Sequence, residues 1–242
     1  LLVYFDKKQF FKNELSSLTP KKEPLVSILV PAYNEEKTIL KTLKSVNHLD
    51  YPKERLDVIV IDDGSNDNTK TIVQEYIQGK PHFRLISHQN MGKAASMNKA
   101  LTLATGEFFA CLDADSFVDS LTLKKMLSLY YEKNDPKLAI ITPAMKVYKP
   151  KNILQKIQWL EYLVIILIAR VSSHLDSLYV APGPFSLYKT AIIKKLGGFD
   201  EESIVEDQEV AYKVQKNHYR VTQCFDGYVY TVAPKELKPF YK

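Results

Sequence analysis

From Leu25 onward the chain alternates between short apolar runs and segments whose apolar residues recur every three or four positions. Residues 25–30 form an apolar run ended by Pro31, which suits a strand buried on both faces. Asn34 is placed to cap a helix that carries Glu35 and Glu36 in its first turn, where carboxylates suit the helix dipole. Ile39, Leu40, Leu43 and Val46 follow at helical spacing and are expected to face inward. The cycle repeats through a strand at 58–61 and a helix at 67–78 that turns Ile72, Val73, Tyr76 and Ile77 inward. A strand at 83–87, a helix at 93–104 stopped by Gly106, a strand at 108–112, a helix at 121–132 and a strand at 138–142 complete it. Strand and helix in strict alternation with short links predict a doubly wound α/β layer over roughly 25–145. Its sheet should be mostly parallel and covered on both faces.

The second half is less regular. Residues 153–171 predict a helix holding Trp159 and the eight-residue apolar run 162–169 between Glu161 and Arg170. Eight residues fall far short of the ~20 that span a bilayer. A buried helix and a helix lying at a membrane surface both fit, and the buried one is the expectation adopted. Residues 179–188 look like a strand interrupted by Pro182-Gly183-Pro184, and a short helix then runs to Leu196 and stops at Gly197-Gly198. A further helix is expected at 207–217, and strand-like runs at 219–232 flank Asp226-Gly227.

Composition narrows the classes. The 242 residues are 45% apolar and 25% charged, which excludes a disordered tail and a multi-span membrane protein. The 33 Lys and Arg exceed the 28 Asp and Glu by only five, spread along the chain, so no nucleic-acid footprint stands out and no nucleic-acid partner is expected. With eight glycines the chain has about half the ~7% norm. Neither GxGxxG nor GxxxxGK[ST] occurs, so a glycine-rich phosphate loop is not expected. Cys111 and Cys224 sit far apart in apolar runs and read as buried free thiols. The five histidines make no ligand-spaced pair, and no GxSxG elbow is present. Residues 1–24 read as a lysine-rich connector (Lys7, Lys8, Lys12, Lys21, Lys22) that opens on an apolar stub at 1–5. The whole reads as a piece of a longer chain.

Three acidic clusters carry candidate chemistry. Asp62-Asp63-Gly64-Ser65 follows a strand directly, where ligands bind in open parallel sheets. A turn with a nearby helix cap would also explain it. Asp113-Ala114-Asp115 ends another strand, and alternate residues of an extended segment point the same way. Two carboxylates facing one spot call for a cation, and a hard divalent ion is the natural one; an Asx-turn before the next helix is the plainer alternative. Glu206-Asp207 opens a helix, where capping accounts for one carboxylate but not two. Asn90-Met91-Gly92-Lys93 opens another helix, offering backbone N–H groups and a lysine to anions.

Together these residues resemble family 2 glycosyltransferases. Pro31-Ala32-Tyr33-Asn34-Glu35, Asp62-Asp63-Gly64-Ser65, Asn90-Met91-Gly92-Lys93, Asp113-Ala114-Asp115 and Val205-Glu206-Asp207 occur in that family's order and spacing. The stretch 182–189 and Gly197-Gly198-Phe199-Asp200-Glu201 also look like it, so the likeness covers about 25–235. It is strongest toward the membrane-bound polysaccharide synthases that make chitin, hyaluronan, cellulose or poly-N-acetylglucosamine. The resemblance implies a GT-A fold, with a connector at 1–24, a nucleotide-sugar half at 25–120 and an acceptor-binding and catalytic half at 121–242. It implies inverting transfer from a nucleotide-diphosphate sugar, UDP-linked by preference, to a polysaccharide or lipid-linked acceptor. Pro31, Ala32, Tyr33, Glu35, Asp62, Asp63, Lys93, Asp113, Ala114 and Asp115 would bind the donor. Asp115 with Asp113 would hold Mg²⁺ or Mn²⁺, Gly183 and Pro184 would meet the acceptor, and Asp207 would be the base with Glu206 beside it. The domain would work on the cytoplasmic face, attached through membrane segments this chain lacks. The family branch also carries a Gln-x-x-Arg-Trp motif soon after the point matching 240–242, and this chain stops before it.

Three other classes share single features. Aspartate-nucleophile phosphatases use Asp-x-Asp, but on their first strand and followed by Thr or Val, whereas here Ser116-Phe117 follows a later strand. Nucleotidyltransferases need a glycine- and arginine-rich loop near the first strand, and 31–36 lacks one. A non-catalytic membrane-peripheral domain would leave Asp113 and Asp115 without a ligand.

Overall fold

A computed structural model describes residues 20–234 apart from positions 176, 179, 182 and 204. The connector expected at 1–24 lies outside the described residues as far as position 19, as does the apolar stub at 1–5. Strand β1 (Val26–Ala32) leads through α1 (Ile39–Asn47) to β2 (Leu56–Asp62), then through α2 (Thr69–Ile77) to β3 (Phe83–Ser87). Helix α3 (Lys93–Leu103) leads to β4 (Phe108–Cys111). β1 pairs in parallel with β2 and β4, and β2 pairs in parallel with β3. The period of two along each strand divides its residues between two cores. Ile28, Val30, Val58 and Val60 pack with Leu43 and Val73 on one face, while Leu29, Ile59 and Ile61 meet Met97 and Ala100 on the other. Both faces are buried, which is why the strands read as unbroken apolar runs.

The remaining elements are β5 (Phe117–Val118), α4 (Thr122–Lys133), β6 (Leu138–Val147), α5 (Ile153–His174), β7 (Ser186–Lys189), α6 (Thr190–Lys195), α7 (Glu206–Lys216) and β8 (Arg220–Thr231). All eight strands join one sheet in the order β3-β2-β1-β4-β7-β6-β8-β5. The doubly wound layer expected from the alternation is present, and the whole sheet has the GT-A, Rossmann-like architecture that the resemblance implies. β7 inserts between β4 and β6, antiparallel to both, so the sheet is mixed beyond β4. β8 is one long strand parallel to β6, with a register break where Pro143 and Ala144 oppose Cys224 and Tyr228. Pro143 has no N–H to give the ladder, and residues 225–227 bulge out there. Both cysteines are buried and free, as expected.

Four local expectations are corrected. Asn34 caps no helix: it takes a left-handed conformation at φ 56°, and α1 starts four residues beyond Glu35. Leu40 lies on the outer side of α1 and is exposed. Gly106 does not serve a left-handed turn; a Cβ there would lie 2.5 Å from the Ser27 N and Phe108 O atoms, so its role is close approach to β1. The strand expected at 179–188 is confined to β7, with positions 179 and 182 outside the described residues.

The buried reading of 153–171 is also overturned. Ile153, Ile157, Leu160, Val164 and Leu167 of α5 are 48–77% exposed. The side carrying Gln155 faces the sheet: Gln155 is buried, its Nε2 donates to Ala233 O, and its Oε1 completes a capping box with Asn152. A helix apolar on nearly every side offers no periodic signal to say which side is inside.

Candidate active site

β1, β2 and β4 run parallel and end at the same edge, so Tyr33, Asp63 and Asp113 leave the sheet side by side. They border a cleft of about 360 Å³ that Pro31, Ala32, Glu35, Asn90, Gly92, Lys93, Ala114 and Asp115 complete. Every residue expected to bind the donor lines this cleft except Asp62. The Asp62 carboxylate is buried and turned inward, where its Oδ1 accepts the Ser65 N–H at 3.1 Å. The turn reading describes that residue.

The cleft walls are tied to one another. Asp63 accepts the N–H groups of Met91 (2.9 Å) and Gly92 (3.1 Å), and His88 Nδ1 stands 3.3 Å from its Oδ1. Two of the donors that the start of α3 offered to an anion are therefore already used. The loops after β1 and β2 are stitched by Asn34 N–H to Ser65 Oγ, Asn66 N–H to Asn34 Oδ1, and Glu36 N–H to Asp67 Oδ2. The Thr42 hydroxyl lies 2.8 and 2.7 Å from the carbonyls of Ala114 and Ser116, which fixes the 113–116 turn against α1.

Lys93 links this cleft to the second half of the chain. Its Nζ is 2.9 Å from Asp113 Oδ1 and 2.8 Å from Glu206 Oε1. Burial works against the lysine charge, but the Asp113 and Glu206 carboxylates hold its pKa well above the ordinary lysine range. Burial also opposes the Glu206 charge and is the largest single cause, but the hydrogen bond to Lys93, the Lys93 charge and its own backbone N–H together outweigh it, leaving Glu206 below its ordinary value. Asp207 behaves in the opposite way and is pushed up to about 6. Burial is the largest cause; Lys93 opposes it, Glu206 and Asp113 add to it, and the Gly183 N–H bond to the carboxylate pulls it back. The backbone of Gly183 approaches so closely that a Cβ there would sit 2.5 Å from Asp207 Oδ2. The Cys111 thiol nearby is fully buried and pushed far up, first by burial and then by Asp207, so it keeps its proton.

Asp207, Gly183 and Pro184 border a second cavity of about 400 Å³ under α5. Tyr162, Ile165, Ile166, Ala169, Met145, Leu178 and Val180 make it mostly apolar, with Thr142 and Gln223 on its sheet side. Thr142 Oγ1 and Gln223 Oε1 are buried there without a hydrogen-bond partner. Sequence reasoning missed His88, Tyr162, Thr142 and Gln223. None sits in a motif; Thr142 and Gln223 arrive on β6 and β8 through the sheet order, His88 directly after β3, and Tyr162 on α5.

Among the described residues no group of three or more His, Cys, Asp and Glu side chains converges as a metal centre. Asp115, whose Oδ1 accepts the Ser116 hydroxyl, and Asp113, which is shared with Lys93, bring hard oxygens to the cleft, across from Glu35 and the N–H-bonded Asp63. Such a set fits a divalent ion that completes its shell with phosphate oxygens and water.

Residues 27–197 match the family model described as Glycosyl transferase family 2. A poly-beta-1,6-N-acetyl-D-glucosamine synthase of Staphylococcus epidermidis is 34% identical over 218 residues, covering 90% of this chain and 52% of that protein. The synthase of that name from Staphylococcus aureus (strain COL) is 32% identical over 218 residues, with the same coverage of 90% and 52%. The chain spans about half the length of these curated relatives. Among solved structures, the mannosyltransferase PcManGT from Pyrobaculum calidifontis, in complex with GDP-Man and Mn²⁺, superposes with a TM-score of 0.75 at 25% identity. That likeness covers 97% of this chain and 65% of the other. S. aureus TarS 1-349 in complex with UDP-GlcNAc gives a TM-score of 0.66 at 27% identity, covering 87% of this chain and 59% of TarS 1-349.

Proposed function

The chain belongs to the glycosyl transferase family 2, and on that premise we propose that it moves a sugar, with inversion, from a UDP-linked donor to a glycan or lipid-linked acceptor. The observation that carries this is the Lys93 bridge. It joins Asp113 of the polar cleft to Glu206, the neighbour of Asp207 at the apolar cavity, so donor and acceptor chambers meet at one charged cluster.

In this reading Pro31, Ala32, Tyr33, Glu35 and Asp63 hold the nucleoside end of the donor, and Lys93 faces its diphosphate. Asp115, with Asp113, would hold Mg²⁺ or Mn²⁺, which when bound supplies positive charge to the leaving diphosphate. The relative solved with GDP-Man and Mn²⁺ supports such an ion. The acceptor hydroxyl enters past Gly183 and Pro184. Asp207 takes its proton as the hydroxyl oxygen bonds to the anomeric carbon, and the sugar–phosphate bond breaks with its electron pair leaving on the nucleoside diphosphate. A single displacement inverts the anomeric centre. Glu206 positions Lys93, and a base of pKa about 6 is ionised at neutral pH yet still strong enough to accept a proton. No described helix is long and apolar enough to cross a membrane; in this reading the domain works at the cytoplasmic face and is held there by other segments.

Calorimetry with UDP tests the donor side. Affinity should rise when Mn²⁺ is added and Asp115→Asn should remove the gain, because diphosphate and carboxylate share the ion. Equal affinity in excess EDTA and in Mn²⁺ would contradict the reading.

A further inference from the structure

The outer side of α5 is built as a pairing surface. Ile153, Ile157, Leu160, Val164, Leu167 and Val171 succeed one another at steps of four, three, four, three and four residues. That is an unbroken heptad seam, with Ile157, Val164 and Val171 at one core position and Ile153, Leu160 and Leu167 at the other. Gln155, Tyr162 and Ala169 stand opposite the seam, in the middle of the side turned to the domain: Gln155 is buried, and Tyr162 and Ala169 border the cavity together with Ile165, Ile166 and Ile168. The seam therefore points straight outward. Its first five members are 48–77% exposed, far more than scattered surface residues require.

We propose that this face binds the same face of a second copy of the chain, as a short parallel two-stranded coiled coil along α5. Three observations select that occupant. β-Branched residues fill the first core position and leucine two of the three second positions, the choice that favours two parallel strands. In parallel register each flanking residue meets the partner residue five positions further on. That pairs the exposed Lys156 with the exposed Glu161 and the apolar Leu163 with the apolar Ile168, so charge meets opposite charge and apolar meets apolar. A helix-on-helix seam about 27 Å long and ~10 Å wide removes on the order of 1,000 Å² of total surface, which is the lower bound for specific association. A lipid surface suits the same face less well, because Glu161 lies between Leu160 and Val164 and would be carried into the headgroup boundary. The pairing stands apart from the transfer reaction and uses none of its residues.

Sedimentation equilibrium of the 242-residue chain up to roughly 100 μM tests it. The expected result is a monomer–dimer equilibrium with a dissociation constant in the micromolar range. Val164→Glu should weaken it at least ~10-fold, like charges facing each other across the two-fold axis, while circular dichroism and melting temperature stay unchanged. Lys156→Glu and Glu161→Lys should each weaken the dimer, and the double swap should restore it. Val164→Cys should cross-link two chains on oxidation, since like positions face each other only in parallel register. A chain that stays monomeric throughout, or a dimer indifferent to Val164→Glu and to the swap, would overturn the proposal. So would a monomer that instead binds phosphatidylcholine–phosphatidylglycerol vesicles through α5.

Discussion

The two chambers that meet at Lys93 use carboxylates in opposite ways. In the polar cleft they are braced: Asp63 accepts two backbone N–H groups. Asp67, in the loop after β2, is braced as well. Desolvation pushes its pKa up, but hydrogen bonds from the Thr69 side chain and from the Thr69 and Glu36 N–H groups hold it below the ordinary range. At the apolar cavity Asp207 is half-buried with a backbone N–H bond from Gly183, and it is pushed up to about 6, chiefly by desolvation. The braced carboxylates of Asp63 and Asp67 hold loops in place, whereas the under-satisfied Asp207 has a raised affinity for a proton. The contrast separates the residues that shape the cleft from the one suited to accept a proton.

The contrast breaks most visibly at Asp207. Asp207→Asn should lower transfer by ~10²–10⁴-fold, the usual contribution of a general base. UDP affinity should stay within a few-fold, and the melting temperature at neutral pH should hold or rise because a desolvated charge is gone. The assay compares wild type and variant, with nucleotide binding measured beside turnover. Gly183→Ala is next. Its Cβ would press 2.5 Å from Asp207 Oδ2 and push the carboxylate aside. Transfer should fall by about 10²-fold, the scale of a 1 Å misplacement, again with little change in UDP affinity. The smallest effect belongs to the braced side. Asp63→Asn turns an amide donor toward one of two N–H groups and should cost about 1–3 kcal/mol in urea melts. Asp62→Asn should cost less, because a single N–H depends on that carboxylate.

Much of this was legible along the chain, and the limits have physical causes. Apolar runs followed at once by Asp62 or Asp113 announce strand ends, and parallel pairing brings such ends together. That is why nine of the ten expected donor residues line one cleft. The insertion of β7 between β4 and β6 depends on antiparallel contacts between distant segments, which no local pattern encodes. Asn34 carried a valid capping signal, but its side chain accepts Asn66 N–H instead, because asparagine tolerates the left-handed conformation. The apolar cavity was invisible for the same reason as β7: Thr142, Tyr162 and Gln223 come from three elements. The outward side of α5 escaped because an apolar residue spells burial only when something covers it.

Lys93 helps to sustain the charge of the desolvated Asp207 carboxylate. An NMR titration of the Asp207 side-chain carboxyl carbon reads this directly, in the wild-type chain and in Lys93→Met. The account predicts a midpoint near 6 in the wild type, and a higher one in the variant because the opposing positive charge is lost. A midpoint at the ordinary 3.8, or one that does not move when Lys93 is replaced, would contradict it.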